Sequence, residues 1–237
     1  FPVVFLIIKR NLKCVFLFTN IRMSDSSNNS KPQSPVEMLL TMNRTIKGTA
    51  LLLEEIQPNS EANTKKQKED RHKFAFKTLI ATILSVRTKD ETTLKVVRDL
   101  WDHYSTPKQM TDAPIERLED LVYSTGFYRQ KAKRIKESAR IVHEEYDDEV
   151  PTTMKDLLAL PGVGRKVANC VLSISFSKPA IAVDTHVHRI SNRIGWVDTK
   201  NPEQTEKELQ EIFPKERWNL INYTMVSFGK KICKPNN

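Results

Sequence analysis

Two short stretches of this chain hold residues able to do chemistry. The first is Leu160-Pro161-Gly162-Val163-Gly164-Arg165-Lys166, and the second is Ile181-Ala182-Val183-Asp184-Thr185-His186-Val187-His188-Arg189, which places a carboxylate eighteen residues after an amine. Glycines permit positive φ and leave backbone N–H groups uncovered. Where such groups face outward at a helix N-terminus, the helix dipole adds to their attraction for a phosphate oxygen. The first stretch therefore reads as a phosphate-gripping hairpin between helices, and an ordinary helix–helix turn would explain the same pattern. Taken alone, Lys166 is a solvated surface lysine. Asp184 taken alone is a helix N-cap ahead of Thr185-His186-Val187, a role compatible with a chemical one.

A hairpin of this kind needs helices to hold it, and the flanking sequence supplies them. Apolar residues recur at helical spacing in Ile80-Ile83-Leu84, Val97-Leu100-Trp101-Tyr104, Ile115-Leu118-Val122 and Ala132-Ile135-Ala139-Val142. The pattern resumes in Val167-Val171-Ile174, Val187-Ile190-Ile194, Leu209-Ile212-Phe213 and Trp218-Ile221-Met225-Phe228. Pro107, Pro114, Gly126, Pro151, Pro161-Gly162, Pro179, Gly195, Pro202 and Pro214 stand between these runs as breakers. No run alternates strictly enough to be a strand, so the expected class is all-α. Further upstream, Val36 to Ile56 reads as a helix, and Asn59 to Asp70 as a polar linker. Residues 23 to 35 are too rich in Ser, Asn and Pro to bury a core. There is no internal repeat and no dinucleotide or Walker-type glycine pattern.

The glycine hairpin ending in Lys166, together with Val183-Asp184-Thr185-His186, resembles the helix-hairpin-helix glycosylase superfamily and its endonuclease III branch in particular. The resemblance runs from about Phe74 through Cys233, roughly two thirds of the chain. It implies two helical lobes with a DNA-binding cleft. One lobe, 68–178, is a six-helix bundle carrying the hairpin, and the other joins 36–67 to 179–237, with 1–35 outside the fold. It implies a bifunctional enzyme that removes damaged bases, oxidised pyrimidines above all, from double-stranded DNA. In such an enzyme Lys166 attacks the sugar C1′ and Asp184 assists base departure and later proton transfers. A lysine nucleophile must be neutral; desolvation and a helix N-terminus lower its pKa, while a nearby carboxylate raises it. By the same resemblance Arg87, in Ser85-Val86-Arg87-Thr88-Lys89-Asp90, and Phe127, in Thr125-Gly126-Phe127-Tyr128-Arg129, fill the gap left by the flipped base. Arg87 stands where glutamine is the family's usual residue, and core packing is the alternative for Phe127. Pro161, Gly162, Val163, Gly164, Arg165 and His186 complete the expected DNA contacts. Arg129, Lys131, Lys133 and Arg134 follow as phosphate contacts or a solvated face. Cys233 is similar to the first of four cysteines that hold a [4Fe–4S] cluster. The other three are absent from this chain, which reads as truncated, so it is not expected to bind a cluster alone. Two other readings stay open: a glycosylase without the lyase step, such as a mismatch-specific relative, and a non-catalytic helix-hairpin-helix DNA-binding module.

Composition agrees with a polyanionic partner. The 237 residues carry a formal charge of +9, for a pI near 9.4, which suits nucleic acid or an acidic surface without proving either. Three scattered cysteines, Cys14, Cys170 and Cys233, make no disulfide framework and point to a reducing compartment. Cys170 sits among apolar residues and reads as a small core side chain. The apolar runs 1–8 and 14–18 are too short to span a bilayer, and no secretory cleavage pattern follows them. Translation is expected to start at Met23, which precedes a polar run. The expectation is a monomer, free of membranes, in the cytoplasm or nucleoid, or in the nucleus of a eukaryote.

Overall fold

The computed structural model describes residues 34–46 and 65–235. The predicted tail as far as Gln33, the polar linker as far as Thr64 and the part of the first helix beyond Ile46 lie outside these residues; the last two tail residues, Ser34 and Pro35, instead open a helix, and the linker residues from Lys65 onward are helical. The helices in chain order are α1 (Pro35–Thr45), α2 (Lys65–Ser85), α3 (Asp90–His103), α4 (Pro107–Asp112), α5 (Ile115–Val122) and α6 (Tyr128–Tyr146). They continue with α7 (Met154–Ala159), α8 (Arg165–Cys170), α9 (Thr185–Arg193), α10 (Pro202–Ile212) and α11 (Trp218–Lys231). No strand occurs among the described residues, and the protein is all-α as its periodicity predicts. None of these helices is long and apolar enough to cross a membrane. The chain packs as two compact units, 65–182 in one and 34–46 with 183–235 in the other.

The larger unit is built on α2, whose Ala75, Phe76, Leu79, Ile80, Ile83 and Leu84 are buried along one face. That face receives α8 and the five-residue π-helical turn Val171–Ser175 that continues it. A π turn widens the helix by one residue per turn and is a frequent feature near functional sites. Helix α6 buries Ala132, Ile135, Ala139 and Val142 and lies against α4 and α5. Thr106 and Gln109 close a reciprocal capping box at the start of α4, with Pro107 in its first turn. Helix α6 stops at Asp147 and Asp148, both at positive φ (50° and 64°), a conformation that short acidic side chains tolerate better than most.

The smaller unit packs α11 against both α9 and α1. Ser34 and Glu37 form the capping box that starts α1. Leu39 and Met42 are buried on α1, as are Ile221, Met225 and Phe228 on α11. Across this contact the Thr224 hydroxyl donates to Asn43 Oδ1 at 3.4 Å. On α9 the buried residues are Val187, Ile190 and Ser191, three and four apart as an amphipathic helix requires.

Candidate active site and DNA-contact loops

The hairpin follows from its local sequence. Thr153 caps α7 through its hydroxyl, which accepts from the Asp156 N–H at 3.2 Å. The chain then turns extended at Leu160 and closes with Val163 N–H donating to the Leu160 carbonyl at 3.1 Å. Gly162 sits at φ 83°, and a Cβ there would lie 3.0 Å from Arg134 Cδ. The backbone conformation favours glycine, and a methyl group would press on the Arg134 side chain. Gly164 differs: it has an ordinary φ of −98°, caps α8, and a Cβ there would meet nothing within 4 Å. The turn is held from behind by the Ser138 hydroxyl of α6, which donates to the Pro161 carbonyl at 2.8 Å. Val163 is buried and its N–H is taken by Leu160, so what it offers is the shape of the turn. Arg165 and Gly164 are exposed, and Pro161 is partly so.

Lys166 is the second residue of α8 and is partly exposed. One turn further on, Asn169 is buried and donates through Nδ2 to the Ile181 carbonyl at 2.9 Å. This bond fixes the hairpin helix to the extended segment that leads toward Asp184. The helix carrying Lys166 is expected to be one long α-helix. Its α-helical part is six residues, and the π turn then takes over.

Asp184 in the smaller unit is the N-cap of α9. Its Oδ1 accepts from the N–H groups of His186 and Val187, both at 2.9 Å. No hydrogen bond engages Oδ2 among the described residues, so the cap occupies only one of the two carboxylate oxygens. His186 is partly buried, and its Nδ1 accepts from the Arg189 guanidinium at 3.1 Å, which leaves the ring proton on Nε2. Arg189 also donates to the Cys233 carbonyl at 2.8 Å. Gly229 of α11 faces this ring so closely that a Cβ would run into His186 Nδ1. Gly229, Arg189 and Asn169 escape a reading of the sequence because each acts through a partner at least a helical turn away.

The two loops expected to probe the duplex lie in the larger unit. Arg87 and Phe127 both have positive φ (55° and 59°), and both are exposed, Phe127 to 60%. Its ring is therefore not core packing. The Arg87 guanidinium lies over that ring at 5.8 Å from its centroid. Tyr123, 68% exposed, lies tilted against Tyr128 with ring centroids 4.9 Å apart, and Arg129 lies over Tyr128 at 5.3 Å. One member of the basic run after Phe127 departs from expectation. Lys131, grouped with Arg129, Lys133 and Arg134 as a phosphate contact or solvated residue, is buried and cannot reach solvent phosphates. It falls on the same stripe as Ile135, Ser138 and Val142, four, three and four residues apart, a signal the sequence does hold. Burial pushes its ammonium down to about 8.

Cys233 is fully buried, and its sulfur accepts from Arg193 at 3.4 Å. No group of three or more His, Cys, Asp or Glu residues able to hold a metal occurs among the described residues. One thiol that accepts from a guanidinium does not fit a cluster that needs four thiolates.

The comparisons with known proteins bear on the family and the fold. The family described as HhH-GPD superfamily base excision DNA repair protein matches residues 80–215. The chain is similar to endonuclease III of Thermotoga maritima, with 54% identity over 162 residues covering 68% of this chain and 76% of that protein. It is also similar to the structure of a non-covalent endonuclease III–DNA complex, at TM-score 0.72 and 35% identity, covering 84% of this chain and 86% of that one. A trapped endonuclease III–DNA covalent intermediate matches at TM-score 0.71 and 34% identity, with the same coverage.

Proposed function

The chain belongs to the endonuclease III family within the HhH-GPD superfamily of base excision DNA repair proteins, a DNA glycosylase and abasic-site lyase, and from that premise we propose that Lys166 is its nucleophile and Asp184 its catalytic carboxylate. The substrate is damaged double-stranded DNA, with oxidised pyrimidines as the lesion class, and the protein works as a monomer wherever the cell keeps its DNA. The observation that carries the assignment is the placement of Lys166. It stands partly exposed in the first turn of the hairpin helix, beside Gly164, where the surface is open to the close approach of a DNA backbone.

The Lys166 amine attacks C1′, the bond from C1′ to the base breaks, and the base leaves with a proton. The free Oδ2 of Asp184 offers negative charge to the sugar as it becomes cationic. Ring opening gives a Schiff base between Nζ and C1′. Loss of a proton from C2′ then breaks the C3′–O bond, and water releases the amine. Arg87 and Phe127 occupy the space the flipped nucleotide leaves, an aromatic ring being suited to stacking inside an opened duplex. Gly164, Arg165 and the exposed backbone of the turn hold phosphate.

Borohydride trapping on an abasic-site duplex tests the assignment, because reduction converts the Schiff base into a stable amine. Wild-type protein is expected to form a covalent adduct through Lys166, and Lys166→Ala none while still binding DNA. Asp184→Asn keeps the cap geometry and removes the charge, and should slow base removal by about a hundredfold or more. Adduct formation by Lys166→Ala at the wild-type rate would move the nucleophile elsewhere. A wild-type protein that excises bases without forming an adduct would favour the reading without a lyase step.

A further inference from the structure

Lys131 is the one lysine of the run after Phe127 that turns inward: it is 4% exposed, whereas Arg129, Lys133 and Arg134 are exposed. Its Nζ donates to the Leu84 carbonyl at 2.8 Å, in the last turn of α2, and to the Thr88 hydroxyl at 2.7 Å. Both acceptors bracket Arg87. Its own backbone N–H donates to the Phe127 carbonyl at 3.0 Å. One residue is thus bonded to the segment that presents Arg87 and to the residue that fills the other half of the gap. The two loops also meet directly, since a Cβ on Gly126 would lie 3.6 Å from the Arg87 carbonyl.

No carboxylate pairs with this ammonium among the described residues, and burial alone lowers its pKa. An apolar side chain would fill the space without the cost of desolvating an amine. What an apolar side chain lacks is the pair of donated hydrogen bonds, and these remain available whether the nitrogen is an ammonium or an amine. Arg87 and Phe127 each hold a left-handed backbone that side chains seldom adopt. Such a conformation persists where the surroundings fix it.

We propose that Lys131 is a positioning residue that clamps the Arg87 and Phe127 loops into one preassembled wedge, so that both side chains enter the duplex together when a base is flipped. The proposal rests on the gap-filling roles given to Arg87 and Phe127 above. Lys131 touches no reacting atom. Its effect belongs to the unstacking step and to excision that depends on it, and much less to strand cleavage at a site that has already lost its base.

The test uses the full chain and duplexes carrying an oxidised pyrimidine with 2-aminopurine beside it, so that unstacking is read as fluorescence and excision as single-turnover base release. Lys131→Met keeps the length and apolar stem but removes the donors. With a melting transition showing it folded, it should slow unstacking and excision together by about tenfold or more, and cleavage at a pre-formed abasic site by less than about threefold. Adding Arg87→Ala to Lys131→Met should cost less than Arg87→Ala costs alone, because the clamp and the wedge act as one unit. If Lys131→Met does not fold, Thr88→Val removes one acceptor at the loop and should show the same split at smaller amplitude. Wild-type unstacking in the folded clamp variants, with Arg87→Ala and Phe127→Ala impaired, would overturn the clamp and leave the wedge standing. Wild-type unstacking in Arg87→Ala and Phe127→Ala would overturn the wedge itself, and the proposal with it.

Discussion

At Gly162 and Gly164 the hairpin asks different things of one residue type. The positive φ of Gly162 strains any side chain, and a methyl group there would press on the Arg134 side chain lying across it. Gly162→Ala should therefore cost roughly 1–2 kcal/mol of stability, seen as a lower midpoint in urea. Gly164 has no such constraint, and Gly164→Ala should melt within about 0.5 kcal/mol of wild type. Its DNA affinity should nonetheless fall, because a methyl group there stands where a phosphate would approach. Measured on an abasic duplex, unchanged affinity in Gly164→Ala would make the turn structural only. The sequence marks both glycines and Asp184 clearly, because turns and caps are local devices written in adjacent residues. It does not separate the two glycines, since the difference lies in Arg134, nearly thirty residues away.

Among the elements, periodicity locates helices well and their ends less well. The first helix reads to Ile56 by its leucines; among the described residues α1 runs Pro35–Thr45, with Arg44 in its last turn and Ile46 as its C-cap, and the rest of that reading lies outside them. The π turn after Cys170 is not legible at all, because its apolar residues fit an α-helical stripe equally well. The inward turn of Lys131 was hidden by its basic neighbours, although its spacing from Ile135 places it on the buried face. The contact between α11 and α9 is wholly non-local, and it bears on the candidate site through Gly229. Gly229→Ala should push His186 and the start of α9 outward, with a loss of about 1–3 kcal/mol from overpacking. Excision should fall as the Asp184 cap shifts, while folding survives. Normal excision in a folded Gly229→Ala protein would show that this packing does not set the position of Asp184.

Charge is a property of the whole molecule, and two of its consequences are measurable. The excess of nine positive charges and the proposed phosphate hairpin lead us to expect DNA affinity that falls steeply as salt rises, by counterion release. Titration of an abasic duplex across a salt series checks this, and a flat response would remove the electrostatic groove. Stability should respond to pH through His72 of α2. Burial holds its imidazole below the ordinary value of 6.5 despite the nearby Glu149 carboxylate, so the unfolded chain binds a proton that the folded one resists. Stability is then lost as pH falls through the ordinary histidine range. Glu149 acts in the same direction at lower pH: the hydrogen bond from Lys68 depresses its carboxyl below 4.5, and its contribution is lost as that carboxylate is protonated. His72→Gln should flatten the decline in melting temperature between pH 7 and pH 5, and an unchanged slope would place the acid sensitivity elsewhere. One further feature reaches beyond any single residue. Arg189 and Arg193 of α9 grip the carbonyls of Cys233, Lys234 and Pro235. Residues 233–235 are thereby sewn to the helix that Asp184 begins. Whatever redirects residues 233–235 tugs on that seam, and the strain is delivered to the helix whose first turn is capped by Asp184.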